Sequence, residues 1–211
     1  MSAHASRIAV VVLLSVLAAY CLMRAAEWVR HDVNPGWPWH GVTGTAAAAG
    51  ITHTNLASAS EMQQLLQRRL LIPVEGVDRN RLRDNFNEMR GGTHRHDALD
   101  IMAPRGTPVL AVDAGRIAKL ERGGPGGITI YEYDPGKQYA YYYAHLDHYA
   151  IGLREGATVR RGDVIGYVGT SGNASPGAPH LHFTILKLAS GGRLWSGEAL
   201  NPYPFLVEST P

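Results

Sequence analysis

Apolar and polar residues follow two different periods along this chain of 211 residues. Residues 61–71 repeat apolar side chains at helical spacing, and Pro73 stops the predicted helix. Ser60 and Gln63 form the pattern of a capping box at its start. The apolar side chains on one helical face are Met62, Leu65, Leu66 and Leu70. From residue 82 onward apolar and polar residues alternate, so one short helix and a β domain are predicted.

Glycine and proline divide the β region into short strands. The chain has 24 glycines and 12 prolines, which suits strands and tight turns better than helices. Residues 108–120 alternate as one long strand bent at Gly115, and residues 134–137 have the composition of a hairpin loop. Residues 158–169 supply two more strands about a turn. The predicted fold is mostly β: a small antiparallel β-sandwich that follows the short helix and an N-terminal segment.

The N-terminal segment contains an uncharged, strongly apolar run at residues 8–23. Arg24 can snorkel and lengthen this span, and a cluster of tryptophans follows it, as interfacial aromatics do. The tryptophans are Trp28, Trp37 and Trp39. We therefore expect residues 1–30 to be an uncleaved membrane anchor. A cleaved signal peptide is the alternative, although residues 18–20 offer no small-x-small cleavage site.

Composition marks the domain boundaries and excludes two kinds of function. Residues 31–59 are rich in Gly, Pro, Thr and Ala with little periodicity and are predicted to be a linker before a domain at 60–211. The 20 Lys and Arg nearly balance the 18 Asp and Glu. This balance argues against nucleic-acid binding, which needs a basic stripe. Cys21 is the only cysteine, so neither an intrachain disulfide nor a cysteine-based metal site is possible.

Two histidine motifs stand about eighty residues apart in the β region. His96 precedes Asp100 by four residues, and His180 precedes His182 by two, so each pair can share one face of a strand. If these faces meet, two imidazoles and a carboxylate surround one ion, and a further histidine stands beside it. Three protein ligands with an open fourth position are typical of catalytic zinc. Neither motif is specific alone, but both lie in apolar, strand-like runs next to turns.

The two motifs and their surroundings resemble the lysostaphin/LytM-type zinc metallopeptidases, which cut peptide bonds in bacterial cell-wall peptidoglycan. The family pattern H-x-x-x-D matches His96 and Asp100, and its Gly-rich loop followed by H-x-H matches residues 169–183. A family histidine in the setting Tyr-x-His-Leu matches His145. Relatives often carry an acidic residue after the second motif, where this chain has Thr184, and this departure endangers nothing catalytic.

The resemblance implies a role for each matched residue. It makes His96, Asp100 and His182 the ligands of one Zn²⁺ per chain, and His145 and His180 the catalytic pair. One histidine of the pair would carry a proton from the attacking water to the leaving amine, while the other would hold the oxyanion. The residues do not decide between them, and His180 is weakly favoured as the base because it shares a strand face with His182. The implied fold, of the duplicated-hybrid type, has an open zinc-binding groove.

The implied substrate places the domain in the cell envelope. The match covers about residues 85–190, and it makes the peptide stems or cross-links of peptidoglycan the expected partner. The domain is therefore expected outside the cytoplasm, held by the membrane anchor, or secreted if the N-terminal segment is cleaved. The sequence leaves open which bond is cut, whether a protein activates the enzyme, and whether residues 34–59 block the groove.

Other interpretations of these residues compete with the peptidase. A non-catalytic envelope protein could use the same groove to bind and activate another hydrolase, but such proteins have lost ligands and this chain has kept them. A structural zinc usually has four ligands, often cysteines. Residues 159–169 resemble the hairpin of lipoyl and biotinyl carrier domains, although Lys137 lacks the carrier motif. His94 forms a second H-x-H with His96 and is expected in an exposed loop, with a role beside the metal ligands or substrate as the alternative.

Overall fold

The computed structural model describes residues 59–91, 94–189, 193–194 and 197–208 of the chain. The anchor predicted at residues 1–30 and all but the last residue of the predicted linker lie outside this part of the chain. Within the described ranges, no helix is long and apolar enough to cross a membrane.

The short helix expected at residues 61–71 is present as α1, Ala59–Gln67. Its predicted end was wrong, because Arg69 adopts the left-handed region with φ of 52°, which ends an α-helix. Leu70 then leaves the helical path and is buried in the core. Leu65 is fully buried as well, so the apolar face of α1 packs on the domain as the sequence predicts.

Strands dominate the remainder of the described chain. They are β1 Met89–Arg90, β2 His94–Arg95, β3 Leu99–Met102, β4 Pro108–Leu110, β5 Gly115–Gly123, β6 Gly127–Tyr133, β7 Tyr139–Tyr149, β8 Thr158–Val159, β9 Val164–Val168, β10 His180–Lys187 and β11 Glu198–Leu200. The described ranges also contain a 3-10 turn, Arg79–Arg81, and a second helix, α2, Tyr203–Val207.

The strands pair antiparallel throughout the described chain, which confirms the predicted mostly β, antiparallel fold. The main sheet has the strand order β11-β10-β7-β6-β5-β8. β3 pairs with the N-terminal half of β10, and β9 joins the end of β7 to β4. β1 and β2 form a separate small hairpin. The long strand β7 therefore touches three neighbours and lies at the centre of the fold.

The prediction of one long strand at residues 108–120 was wrong. β4 ends at Leu110 and β5 begins at Gly115, and the two strands pair with different neighbours, β9 and β6. Between them the chain turns, where the Ala111 N–H donates to the carbonyl of Asp163. This turn is stabilised by a hydrogen bond to a distant part of the chain. The alternating sequence pattern continues across it and therefore does not predict it.

The hairpin predicted at residues 134–137 is confirmed between β6 and β7. The Asp134 carboxylate accepts the N–H of Tyr139 at 2.7 Å and the N–H of Gly136 at 3.1 Å. Lys137 takes a left-handed φ of 51°. Asp134 thus closes the turn by binding its own backbone, which is the usual reason for Asp at the start of a turn.

Side chains alternate between the core and the opposite face of the sheet. The core receives the apolar side chains Leu99, Ile101, Tyr141, Tyr143, Leu181, Phe183 and Ile185, each at most 2 % exposed. Because strand residues alternate, the intervening residues of β3 and β10 lie on the opposite face. Those residues include Asp100, His180 and His182. The buried apolar face therefore fixes the register that brings the polar groups together.

Glu132 is a fully buried carboxyl group in the core. Its Oε2 accepts the hydroxyl of Tyr143 at 2.6 Å, while Oε1 has no hydrogen-bond partner in the described structure. It occupies space left by Gly115, where a Cβ would lie 2.5 Å from Oε1. Burial raises the pKa of Glu132 to about 8. The hydrogen bond from Tyr143 lowers this pKa in part, and the negative charge of Asp113 raises it. The folded protein therefore keeps this carboxyl largely protonated at neutral pH.

Glu132→Gln is expected to gain stability relative to the wild type as the pH rises. In the unfolded chain Glu ionises above about pH 4.3, whereas the folded protein keeps its proton until the pKa of about 8. The wild type therefore loses free energy of unfolding across this window, by up to about 1.4 kcal/mol per pH unit, and the neutral Gln variant does not. Urea unfolding of both proteins with chelator at several pH values tests this. A difference that stays constant with pH would contradict the buried, protonated carboxyl.

Candidate active site

The proposed metal ligands Asp100 and His182 face each other on β3 and β10. The two strands pair with His182 opposite Asp100 and with His180 opposite Met102. His182 Nδ1 lies 3.2 Å from Asp100 Oδ1, and His180 Nε2 lies 3.6 Å from the same oxygen. The strand alternation predicted for His180, His182 and Asp100 is thus present.

His96 reaches the same oxygen by a route that differs from the predicted one. The expectation that His96 and Asp100 share one strand was wrong, because β3 begins only at Leu99. Asp97 has a left-handed φ of 54°, so the chain turns sharply between the two residues. This turn brings His96 Nε2 to 2.9 Å from Asp100 Oδ1. The turn at Asp97, and not the period of a strand, therefore brings His96 and Asp100 together.

The three potential ligand atoms have the spacing that a zinc ion requires. His96 Nε2 and His182 Nδ1 lie 3.1 Å apart, and both face Asp100 Oδ1. A tetrahedral zinc with bonds of about 2.0–2.1 Å would hold its ligand atoms roughly 3.3–3.4 Å apart, close to these separations. Two imidazoles and one carboxylate also match zinc in donor type. The residues present therefore fit this ion with little rearrangement.

Electrostatics at the cluster favour a charged Asp100 carboxylate and a neutral His182 imidazole. Burial alone would raise the pKa of Asp100, but hydrogen bonds from His182 and His96 outweigh it and hold the pKa far below its usual range. Burial lowers the pKa of His182, against the pull of Asp100. An ionised Asp and unprotonated His are the forms that bind a cation.

The two histidines implied to be catalytic lie beside the cluster. The ring of His145 is 5.0 Å from that of His180 and 5.3 Å from that of His182, between centroids. The Nδ1 atoms of His145 and His180 each lie 2.8 Å from a backbone carbonyl, those of Ser171 and Ala178. A carbonyl only accepts, so each Nδ1 carries a hydrogen, and Nε2 is the atom of each ring that can take up or release a proton.

His145 joins the site because of a β-bulge in β7. Tyr141 and Tyr143 point into the core, and regular alternation along the strand would place the His145 side chain in the core as well. The pairing of β7 with β6 shifts register after Tyr143, and His145 takes a left-handed φ of 60°. Leu146 resumes the core position, so the extra residue turns His145 to the histidine side. Burial, followed by the nearby His182, lowers the pKa of His145 to about 4, so it is neutral near pH 7.

Comparison with known proteins identifies the family. The family model for Peptidase family M23 matches residues 94–202, which include all five residues discussed above. The chain belongs to peptidase family M23. The M23 domain of this chain is 37% identical over 121 residues to the L-Ala--D-Glu endopeptidase of Bacillus subtilis, covering 55% of this chain and 36% of that protein.

Two further similarities lie in the same domain. The peptidoglycan DD-endopeptidase ShyC of Vibrio cholerae is 30% identical over 115 residues, covering 52% of this chain and 25% of that protein. The solved structure of the antimicrobial peptidase lysostaphin from Staphylococcus simulans aligns with a TM-score of 0.51 and 26% identity, covering 61% of this chain and 50% of lysostaphin. The chain thus spans about a third or less of the length of both curated relatives.

Asn85 and Ser171 support the M23 site through contacts that sequence reasoning missed. The carbonyl of Asn85 lies 3.1 Å from His96 Nδ1, and its side-chain oxygen accepts the N–H of Asp100 at 3.1 Å. Ser171 accepts the His145 Nδ1–H with its carbonyl, and its hydroxyl donates to the carbonyl of Leu146 at 2.6 Å. Each residue contacts a histidine of the site through its backbone carbonyl, so its identity alone carries little signal, although Ser171 does lie within the matched Gly-rich loop.

Two further histidines of the described chain, His94 and His148, are exposed. His94 is exposed, as expected, but it lies in β2 and not in a loop. His148 is also exposed; its Nδ1 lies 2.9 Å from Asp147 Oδ2, and its ring stacks on Tyr167 with centroids 4.4 Å apart. His148 thus contacts other side chains at the surface. Neither histidine is part of the potential ligand group within the described residues.

Proposed function

We propose that this protein is a zinc-dependent endopeptidase that hydrolyses peptide bonds in bacterial peptidoglycan. The observation that carries the proposal is the convergence of His96, His182 and His180 on one oxygen of Asp100, with His145 beside them. Membership of peptidase family M23 supports hydrolysis of peptide bonds, and the name of the Vibrio cholerae relative supports peptidoglycan as the substrate. All five residues of the implied site are present, which favours a catalyst over a non-catalytic binding protein.

The residues divide into a ligand group and a proton-transfer group. Zinc held by His96, Asp100 and His182 would supply an activated water and polarise the scissile carbonyl. His180 is proposed as the base, because its Nε2 lies 3.6 Å from the ligand oxygen and its hydrogen is held on Nδ1 by Ala178. It would accept a proton from the attacking water and deliver it to the leaving amine. His145, whose ring lies 5.0 Å from that of His180, would stabilise the developing oxyanion after taking up a proton at Nε2, which a nearby negative charge favours.

The full chain incubated with purified peptidoglycan tests this function. We expect new peptide amino groups in the wild-type digest, identified by mass spectrometry of the released fragments, and none with chelator or with Asp100→Ala. Fragments cleaved within glycan strands only, or digestion that survives in the Asp100→Ala protein, would contradict a zinc-dependent endopeptidase. The masses of the fragments also identify which peptide bond is cut.

We further propose that residues 1–30 hold the enzyme at the membrane, with the domain at 60–211 on the outer side. The support is the uncharged apolar run at residues 8–23 and the tryptophans that follow it. The full chain is expected to stay with membranes through carbonate washing, because apolar burial is insensitive to charge screening. A mature N-terminus between about residues 20 and 40 would instead indicate a cleaved signal peptide.

A further inference from the structure

The two oxygens of Asp100 have different partners. Oδ1 faces the imidazoles of His96 and His182, at 2.9 Å and 3.2 Å. Oδ2 faces Arg90, whose Nη2 lies 2.8 Å away, a distance typical of a charge-assisted hydrogen bond. One carboxylate is thus shared between the potential ligand group and a guanidinium, with one oxygen given to each.

Asp100 is the closest ion-pair partner of Arg90. The Glu88 carboxylate is farther, at 3.5 Å from Nη2. His96 Nδ1 lies 3.2 Å from Nη2, but this nitrogen also lies 3.1 Å from the Asn85 carbonyl and can carry only one hydrogen or one lone pair. If His96 gives Nε2 to a metal, Nδ1 is the protonated nitrogen, so it donates to Asn85 and accepts nothing from Arg90.

A second nitrogen of the Arg90 guanidinium, Nε, indicates what holds the side chain in place. Its Nε is buried and has no hydrogen-bond partner in the described structure. A buried donor without an acceptor is unfavourable, so the rest of the pocket does not account for this orientation. The contact with Asp100 Oδ2 does account for it.

The backbone ties Arg90 to the ligand His96. Arg90 pairs with His94 in the β1–β2 hairpin, and the His96 N–H donates to the carbonyl of Glu88 at 2.8 Å. One strand of this short hairpin therefore carries the partner of Asp100, and a potential metal ligand, His96, directly follows the other strand. Any shift of the hairpin moves both groups relative to Asp100.

We propose that Arg90 is a positioning residue that keeps Asp100 a one-oxygen ligand of the metal. The inference rests on the proposed function. A carboxylate can bind a metal through one oxygen or both, and a second bound oxygen would occupy the open position that a catalytic zinc site requires. By holding Oδ2, Arg90 directs Oδ1 alone to the ligand group and leaves that position free for water and substrate.

Cobalt substitution of the full chain tests this role by a readout other than activity. Four-coordinate Co²⁺ absorbs visible light much more strongly than five- or six-coordinate Co²⁺. We expect a four-coordinate spectrum in the wild type and a weaker, higher-coordinate spectrum in Arg90→Met, with kcat reduced about 10–100-fold. Arg90→Lys keeps the charge and can restore one contact, so its spectrum is expected between the two.

Arg95→Met is the matched control. Arg95 lies on the other strand of the same hairpin, is exposed, and has its nearest ion-pair contact with Asp97, at 3.9 Å. Its cobalt spectrum should equal that of the wild type, and metal-free Arg90→Met and Arg95→Met should unfold at similar temperatures. A four-coordinate spectrum in Arg90→Met would overturn the inference while leaving the proposed function intact. A wild type that binds neither Co²⁺ nor Zn²⁺ would overturn both.

Discussion

Asp100→Ala is expected to purify without zinc and to release no peptide amino groups from peptidoglycan. Asp100 Oδ1 lies within 3.2 Å of both proposed imidazole ligand atoms, so its loss would remove one proposed ligand and the group that orders the other two. Two remaining ligands hold zinc poorly, and zinc binding and activity should therefore disappear together. His182→Ala removes a different ligand and is expected to have the same result. Metal analysis of each purified protein, beside the digestion assay, measures both effects.

Asp147→Ala is the control for these ligand variants. Asp147 is a carboxylate outside the potential ligand group, and its partners are Arg105 and His148. This variant should keep a full complement of zinc and normal hydrolysis. Full metal content in both Asp100→Ala and His182→Ala would show that the ligands lie elsewhere.

The second large effect concerns the two histidines beside the ligand group. His145→Ala and His180→Ala are expected to keep their zinc while losing about 10²–10⁴-fold in hydrolysis, the contribution of general acid–base groups. Their Nδ1 atoms are held by backbone carbonyls, and neither histidine belongs to the potential ligand group of the described residues, so we expect neither to be required to hold the ion. Zinc content and the rate of peptide release, measured on the same preparations, separate the two roles.

His148→Ala is the matched control, because this histidine is exposed and lies outside the ligand group. It should retain both metal and activity. Loss of zinc from a folded His145→Ala or His180→Ala protein would move that histidine into the ligand set. Near-normal hydrolysis by either variant would remove its catalytic role.

The residues of β3 and β10 could be placed from sequence because strand alternation is a local property. Leu181 and Phe183 must enter the core, so His180 and His182 must point away from it, and the same argument places Asp100. No long-range information is needed once the strands are recognised. Strand alternation therefore predicted which face of its strand each of these three residues occupies, while the pairing of the two strands had to come from the fold.

The placement of His145 and His96 depends on distant parts of the chain. The bulge that turns His145 away from the core is stabilised by its hydrogen bond to the carbonyl of Ser171, 26 residues away. The left-handed turn at Asp97 brings His96 back to Asp100. Asp is one of the residue types that tolerate this conformation, but an Asp in the sequence does not predict it. Arg90 lies outside the motifs, so only the folded hairpin reveals its contact with Asp100.

Zinc titration of the metal-free full chain tests the central claim most directly, namely that His96, Asp100 and His182 hold a catalytic zinc. The rate at which new peptide amino groups appear from peptidoglycan should rise in proportion to added zinc and level off at one bound zinc per chain. The Asp100→Ala protein should show no rise over the same range. Hydrolysis at full rate in the metal-free protein, or one zinc bound per chain with no hydrolysis of peptide bonds, would contradict the account.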